Sequence, residues 1–192
     1  MSQILETIIK EKKLYLETQP ELFSPKKIDK GTLAMLSHVE FGSEDKVLDL
    51  GCGYGVVGIL AAKLIGETNV VMCDVDERAV DIAKKNAVAN NVSHIAILQS
   101  DCLDNIEDRD FTLVLSNPPY HTDFSVAKRF IEDSFKRLKI GGKMLMVTKR
   151  LDWYKNKLTS VFGGAMVYQE DGYFVFIAEK RQPYMAKKSK RR

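Results

Sequence analysis

The chain has 192 residues, of which 29 are lysine or arginine, 26 are aspartate or glutamate, and 45% are hydrophobic. This length predicts one domain with a substantial core and excludes two domains of ordinary size. No apolar run approaches the roughly 20 residues that cross a bilayer, and the amino-terminal stretch MSQILETIIKEKK is charged where a signal peptide would be apolar. We therefore expect a soluble, cytoplasmic protein that binds no membrane.

Charge is unevenly distributed along the chain. The formal net charge is +3, but the last seven residues, AKKSKRR, hold five basic residues and no acidic one. Without those five, 24 basic residues face 26 acidic ones, so the rest of the chain is slightly acidic. We expect a leading segment at 1–43, one domain at 44–182 and a basic tail at 183–192. The tail is either a solvated end or a non-specific contact with phosphates.

Predicted elements alternate along most of the chain. The leading segment is predicted to hold an amphipathic helix at 4–12, an extended stretch at 13–24 and a helix at 31–39. Apolar runs predict strands at 46–50, 69–75, 94–101, 111–117 and 143–149. Helical spacing predicts helices at 56–66, 76–90, 126–139 and 151–162, with Gly141-Gly142 closing the third. A hairpin at 165–170 and 173–181 is predicted around Asp171-Gly172, because this dipeptide favours a tight turn.

The alternation of strands and helices predicts the α/β class. Such chains form a parallel sheet covered by helices on both faces, and the closing hairpin makes one edge of this sheet antiparallel. Ligands of these sheets bind beyond the carboxyl ends of the strands. The residues that follow each strand are therefore the candidates for a functional site.

The first of these strands runs directly into a glycine-rich loop, DLGCGYGVVG, at 49–58. Gly51, Gly53 and Gly55 allow a tight turn and a close approach of the backbone to a ligand. The helix that follows offers unpaired backbone N–H groups. Alone, the pattern also fits a dinucleotide site or a purely structural turn.

Three successive strands end in an aspartate: Asp49, Asp74 and Asp101. Asp74 stands where a carboxylate accepts hydrogen bonds from ribose hydroxyls, and Asp101 could read an adenine edge. Three carboxylates around one pocket suit a cofactor that has hydroxyls, an amine and a positive centre better than they suit a pyrophosphate. S-adenosylmethionine has these groups.

The three cysteines, Cys52, Cys73 and Cys102, lie next to these positions. Their spacing fits neither a zinc site nor a disulfide framework. We expect all three to line or back the pocket as small, soft packing groups without a catalytic part.

The fourth strand ends in Ser116-Asn117-Pro118-Pro119-Tyr120. In the order VLDLGCGYG, Asp74, Asp101 and NPPY, the sequence resembles the class I S-adenosylmethionine-dependent methyltransferases. The resemblance implies a Rossmann-like fold with a seven-stranded, mostly parallel sheet. NPPY is similar to the motif of enzymes that methylate amino or amide nitrogens: adenine N6, guanine N2 and protein glutamine.

This motif has a chemical rationale. The lone pair of an exocyclic amine is delocalised into its ring, so the amine is a poor nucleophile. The side-chain oxygen of Asn117 and the carbonyl of Pro118 would accept hydrogen bonds from its N–H groups and stabilise the charge that develops during transfer. Tyr120 would stack on the target base, and no metal ion is needed. His121 is expected to neighbour the pocket without acting as a base.

A closer resemblance lies in LFSPKKIDKGTLAML at 22–36. This stretch is similar to the ribosomal RNA guanine-N2 methyltransferases of the small subunit and their large-subunit relatives. The shared residues are Phe23, Ser24, Asp29, Gly31 and Thr32, in a segment that the resemblance implies covers cofactor or substrate. Well-known members carry a second, amino-terminal methyltransferase-like domain and usually have phenylalanine at the position of Tyr120.

The predicted catalytic residues are Asn117, Pro118 and Tyr120. The predicted cofactor-binding residues are Thr32, Asp49, Gly51, Cys52, Gly53, Gly55, Asp74, Val75, Asp101, Cys102 and Asn117. The predicted substrate-binding residues are Phe23, Tyr120, Lys149 and Arg150, the last two because they follow the fifth strand on the pocket side.

The expected activity is methyl transfer to guanine N2 of ribosomal RNA, free or in a ribosomal subunit, by a monomer or homodimer. Adenine-N6 methylation of DNA or RNA and glutamine methylation of a protein remain open, because the lone pairs of these nitrogens are also delocalised and make them poor nucleophiles. A nicotinamide-dependent oxidoreductase and a non-catalytic RNA-binding module are more distant alternatives.

Overall fold

The computed structural model describes residues 2–22, 24–119 and 124–184. Its strands are β1 Gln3–Ile9, β2 Lys12–Thr18, β3 Val47–Leu50, β4 Val70–Asp74, β5 Ala96–Gln99, β6 Phe111–Ser116, β7 Leu138–Thr148, β8 Met166–Glu170 and β9 Tyr173–Glu179. Its helices are α1 Lys30–Ser37, α2 Val56–Ile65, α3 Glu77–Ala89, α4 Phe124–Arg137 and α5 Asp152–Phe162. Within the described ranges, none of the helices has an apolar stretch long enough to cross a bilayer.

Seven strands form one sheet in the order β5-β4-β3-β6-β7-β9-β8. The first five of these pair in parallel, and β9 and β8 pair antiparallel at the edge. Alternate strand residues face two separate hydrophobic clusters, one with α1, α2 and α3 and the other with α4 and α5. The predicted fold class, a mostly parallel seven-stranded sheet with helices on both faces and a carboxy-terminal hairpin, is confirmed.

The predicted helix at 4–12 is wrong, because the first residues form an antiparallel hairpin of β1 and β2. The two residues that join the strands, Lys10 and Glu11, have φ of 46° and 64°, as a two-residue turn between twisted strands requires. Glycine or asparagine normally marks such a turn, and neither is present. The pattern Ile4-Leu5-x-x-Ile8-Ile9 fits a helical stripe and a half-buried strand equally, so it did not discriminate between them.

Gly141 and Gly142 were also misplaced, because they lie inside β7 and do not close α4, which ends at Arg137. At Gly142 a Cβ atom would lie 2.8 Å from the backbone oxygen of Phe111 on the neighbouring strand. The glycine therefore allows two strands to approach closely at a register shift between Phe111 and Leu113. The extended stretch predicted at 13–24 is a strand only over β2 and turns after it, and the strand predicted from 143 begins five residues earlier, at Leu138. The remaining predicted helices and strands agree with the structure to within two residues at each end.

Candidate active site

A cavity of about 520 Å³ lies at the carboxyl ends of the parallel strands, where a ligand was expected. Its wall includes carboxylates from the leading segment, from β3 and β4, and from the loops after β4 and β5. No lysine, arginine or histidine of the described chain lines it. The acidic residues are Glu21, Asp29, Asp49, Asp74, Asp76 and Asp101.

The glycine loop after β3 is held by the first two strand-end aspartates. Gly51, Gly53 and Gly55 have φ of 75°, 53° and 99°, a region that side chains disfavour. The N–H of Gly53 donates to Asp74 Oδ2 and the N–H of Gly58 donates to Asp49 Oδ2, each at 2.8 Å. These hydrogen bonds fix the loop against β3 and β4.

Asp49 is buried, and its carboxyl is therefore hard to ionise. Burial is the main cause that raises its pKa to about 7; the charge of Asp74 raises it further, and the hydrogen bond from Gly58 opposes the shift. Asp74 itself accepts one backbone N–H on each oxygen, from Gly53 and from Asp76. A carboxylate oxygen can accept more than one hydrogen bond, so Asp74 keeps acceptor capacity towards the cavity.

Asp101 lies at the cavity rim in a network with Arg129 of α4. The guanidinium donates to Asp101 Oδ2 at 2.8 Å and to both carboxylate oxygens of Asp104 at 2.9 Å. The hydrogen bond from Arg129 is the main cause that holds the pKa of Asp101 below its ordinary value. Asp101 therefore contributes an ionised carboxylate to the cavity wall, which also includes the exposed apolar side chain of Val75.

The three cysteines are buried, and all three line the cavity. Burial raises the pKa of the Cys73 and Cys102 thiols to about 12 and also raises that of Cys52 well above its ordinary value. A thiol acts as a nucleophile only as the thiolate. Their environment therefore suits packing rather than reactivity.

The side-chain amide of Asn117, directly after β6, has a defined orientation. Its Nδ2 donates to Asp29 Oδ1 at 2.8 Å and to Thr32 Oγ1 at 3.0 Å. Because a carboxylate only accepts hydrogen bonds, the flipped amide would place two acceptors against each other. This leaves Asn117 Oδ1 buried and without a hydrogen-bond partner in the described part of the chain. A buried acceptor in this state is costly unless a ligand completes it.

Asp29 connects this amide to two other elements. Its Oδ1 also accepts from the N–H of Thr32 at 3.0 Å, which caps α1, and its Oδ2 accepts from the Tyr173 hydroxyl at 3.2 Å. The ring of Tyr173 lies against Gly31, where an added Cβ would approach it to 2.6 Å. Asp29, Gly31 and Thr32, three of the residues that carry the family resemblance, thus lie together where Asn117 is held in place.

The remaining predicted residues fall into three groups. Asn117 and Pro119 line the cavity, whereas Pro118 is buried. Lys149 and Arg150 are exposed at the end of β7, outside the cavity, with their charges 4.9 Å from the ring centres of Tyr173 and Phe124, respectively. The predictions for Phe23, Tyr120 and His121 lie outside the described residues.

Sequence reasoning did not identify several residues of the wall. Leu22, Ala79 and Phe130 line the cavity without having been predicted, and Tyr173 supports it from β9. Their only signal in the sequence is apolar periodicity, which predicts that a side chain is buried. It does not predict whether that side chain packs in the core or against a ligand. Asp29 was part of a family resemblance, but its contact with Asn117, 88 residues away, had no local signal.

Comparisons with known proteins identify the family of this chain. The family model described as "Methyltransferase small domain" matches residues 13–178. The uncharacterized protein YbxB of Bacillus subtilis (strain 168) is 32% identical over 165 residues, which cover 83% of this chain and 82% of YbxB. The ribosomal RNA small subunit methyltransferase C of Serratia proteamaculans (strain 568) is 33% identical over 183 residues, 92% of this chain and 52% of that protein.

A solved structure, the T. thermophilus 16S rRNA N2 methyltransferase (RsmC) in complex with AdoMet and guanosine, superimposes with a TM-score of 0.86 at 28% identity. The match covers 94% of this chain and 51% of that protein, so the chain spans about half the length of the two named ribosomal RNA methyltransferases. The comparisons confirm the resemblance that the motifs indicated, and the chain belongs to the methyltransferase small domain family.

Proposed function

We propose that this protein transfers a methyl group from S-adenosylmethionine to an exocyclic amine of RNA, and that the amine is guanine N2 of ribosomal RNA. The observation that carries the proposal is the amide of Asn117. Its donors are engaged by Asp29 and Thr32, and its buried oxygen is left as an acceptor at the wall of an acidic cavity.

The charge of the cavity supports this cofactor. S-adenosylmethionine carries a sulfonium, an ammonium and ribose hydroxyls, which carboxylates stabilise or bind. A dinucleotide would bring a pyrophosphate against six acidic residues without a cationic side chain in the described wall. The acidic lining therefore favours S-adenosylmethionine over NAD.

The proposed cofactor contacts follow the predicted positions. Asp74 would accept from the ribose hydroxyls and Asp101 from the adenine amine, with Val75 against the base. Gly51, Cys52, Gly53 and Cys102 would line the cofactor. Gly55 is not among the residues that line the cavity, and it would act by allowing the positive φ of the loop. Thr32 would act near the cofactor by fixing Asn117. The chemistry that the cofactor supplies is an electrophilic methyl group.

The catalytic role belongs to the corner after β6. Asn117 Oδ1 and the Pro118 carbonyl would accept hydrogen bonds from the two N–H groups of the target amine. This arrangement orients the nitrogen lone pair towards the methyl group and stabilises the positive charge that the nitrogen gains. Tyr120 and Phe23 are proposed to contact the target base.

Three observations support an RNA substrate. The named relatives act on ribosomal RNA according to their names, and one of them was solved with guanosine. Lys149 and Arg150 are exposed on the same edge of the sheet as Asn117, where they can meet phosphates. We propose that the substrate is ribosomal RNA, free or in a subunit, and that the enzyme is a cytoplasmic monomer or homodimer.

The proposal is tested by methyl transfer from tritiated S-adenosylmethionine, with ribosomal subunits, free ribosomal RNA, DNA and release factors as separate substrates. We expect label in RNA, and digestion to nucleosides should identify N2-methylguanosine. Asn117→Ala should lower the transfer rate by about a hundredfold or more and leave cofactor affinity nearly unchanged. Asn156→Ala, an exposed amide on α5, is the matched control and should be neutral.

Each alternative predicts a different result. Label in DNA or N6-methyladenosine would favour an adenine methyltransferase, and label in a release factor a glutamine methyltransferase. Titration that detects NAD binding but no S-adenosylmethionine binding would reject the proposal as a whole. Full activity of Asn117→Ala would reject the catalytic role of the amide.

A further inference from the structure

Two buried asparagines, Asn86 of α3 and Asn90 at its carboxy-terminal cap, take the place of a neighbouring strand beside β2. Asn90 accepts from the N–H of Tyr15 at 3.1 Å and donates to its carbonyl at 2.7 Å. Asn86 does the same with Glu17, at 2.7 Å and 2.8 Å. Residues i and i+4 of a helix rise about 6 Å, close to the roughly 6.8 Å between alternate residues of a strand. The two amides therefore match the open edge of the amino-terminal hairpin.

The two asparagines differ in one contact. The second N–H of Asn90 donates to the backbone carbonyl of Asn86, in the last turn of α3, at 2.8 Å. The corresponding N–H of Asn86 donates to the carbonyl of Tyr54 at 2.8 Å. Tyr54 lies between Gly53 and Gly55 in the glycine loop and lines the cavity. Asn86 alone of this pair joins the hairpin to the loop.

The hairpin leads directly into another part of the cavity wall. After β2 the chain turns, with the N–H of Leu22 donating to the carbonyl of Gln19 at 3.0 Å, and Glu21 and Leu22 line the cavity. The hydroxyl of Tyr54 donates to the carbonyl of Ser24 at 3.4 Å. Tyr54 is thus connected to the leading segment directly through its hydroxyl and indirectly, through Asn86, by its backbone carbonyl.

We propose that Asn86 is a positioning residue for the cofactor, because it fixes the glycine loop relative to the Glu21–Leu22 wall before the cofactor binds. This inference rests on the proposed function, since it takes S-adenosylmethionine as the ligand of the cavity. A site whose two walls are already aligned loses less conformational entropy on binding. Asn90 binds the same hairpin, but its second N–H donates to Asn86 and not to the loop, so Asn90→Ala is the matched comparison.

The test is the pair Asn86→Ala and Asn90→Ala, measured by calorimetric titration with S-adenosylmethionine and by thermal unfolding. Both variants lose a buried amide that binds β2, so both should lower the melting temperature by similar amounts. Only Asn86→Ala should weaken cofactor binding, by about tenfold, which corresponds to one lost buried hydrogen bond. Its kcat at saturating cofactor should stay within about twofold of the unmodified enzyme, because the Asn117 network is intact.

A second measurement needs no variant and stands if Asn86→Ala does not fold. Amide hydrogen exchange of the unmodified protein, resolved by residue, compares the N–H of Glu17, held by Asn86, with that of Tyr15, held by Asn90. Bound S-adenosylmethionine should slow exchange at Glu17 more than at Tyr15. Equal protection at both amides, or equal cofactor affinity of the two variants, would overturn the inference. An unmodified protein that does not bind S-adenosylmethionine would instead reject the proposed function and with it this role.

Discussion

At the scale of single residues, Asp49 makes the cavity sensitive to pH. Its folded-state pKa of about 7 means that the empty site holds a proton at mildly acidic pH. In the absence of ligand, the folded state binds this proton more tightly than the unfolded chain. The contribution of this carboxyl to the free energy of unfolding is therefore fully present below about pH 4 and is lost as the pH rises through about 7.

Cofactor affinity should depend on pH in the opposite direction, rising as the pH rises. A cation in the cavity favours the carboxylate form of Asp49 and lowers its pKa, so binding below pH 7 must release a proton. We expect the affinity for S-adenosylmethionine to rise between about pH 5.5 and about pH 7, by at most about tenfold per pH unit, and then to level off. Calorimetry in two buffers with different ionisation enthalpies measures both the affinity and the proton release.

Asp49→Asn is the control for this behaviour. The asparagine oxygen can still accept from the N–H of Gly58, so the glycine loop keeps its 2.8 Å hydrogen bond. The variant should bind more weakly at pH 7.5 and show little pH dependence between about pH 5.5 and about pH 7. An unmodified protein whose affinity is constant over this range would contradict the assignment.

At the scale of elements, the sequence predicted what local patterns encode. The glycine loop, the three strand-end aspartates and the Asn117 corner could be placed at one sheet edge because each follows a buried apolar run. The amino-terminal hairpin could not be predicted from the sequence, because its turn at Lys10 and Glu11 lacks the residues that normally adopt positive φ. The strand is held by Asn86 and Asn90, which lie about 70 residues further along the chain.

The support of Asn117 was also beyond local patterns. Asp29 and Thr32 at the start of α1 and Tyr173 at the start of β9 come from two distant parts of the chain. They meet because α1 packs beside β7 and β9. Family resemblance identified Asp29 and Thr32 without their contacts. The Tyr173 hydroxyl, at the start of β9, had no sequence signal because the residue also serves as a buried core side chain.

This arrangement predicts a role for the Tyr173 hydroxyl in catalysis. Tyr173→Phe keeps the ring against Gly31 but removes the hydrogen bond to Asp29, whose other oxygen holds Asn117. Asn117 should then be less firmly oriented, and kcat should fall by about five- to tenfold with cofactor affinity unchanged. Steady-state kinetics and calorimetric titration separate these two quantities.

A second tyrosine, in the hairpin of β8 and β9, provides the comparison for Tyr173. Tyr168→Phe removes a hydroxyl that lies 3.9 Å from Met166 Sδ, and its ring remains available to stack on His38. This variant should retain normal kcat. If both tyrosine variants behave alike, the effect is a general property of the hairpin and the positioning role of Tyr173 is rejected.

At the scale of the whole molecule, charge is separated between the cavity and the surface. The described cavity wall is acidic, which suits a cationic cofactor, whereas Lys149 and Arg150 are exposed on the same edge of the sheet. A polyanion would be repelled by the cavity and attracted to this pair. We infer that phosphates bind at the pair while only a neutral base enters the site.

This separation predicts how RNA binding depends on salt. Each phosphate contact contributes about 0.7 to 0.9 to the slope of log affinity against log salt concentration. Lys149→Gln combined with Arg150→Gln should reduce that slope by about 1.4 to 1.8 and raise the KM for RNA, without changing the affinity for S-adenosylmethionine. Filter binding to a ribosomal RNA fragment at several salt concentrations measures the slope.

The matched control removes the same charge from another surface. Lys84 and Lys85 are also consecutive and exposed, but they lie on α3, outside the residues that line the cavity. Lys84→Gln with Lys85→Gln changes the net charge equally, so it reports the effect of overall charge alone. If both double variants reduce the slope to the same extent, RNA binding depends on the charge of the whole molecule, and Lys149 and Arg150 have no local role.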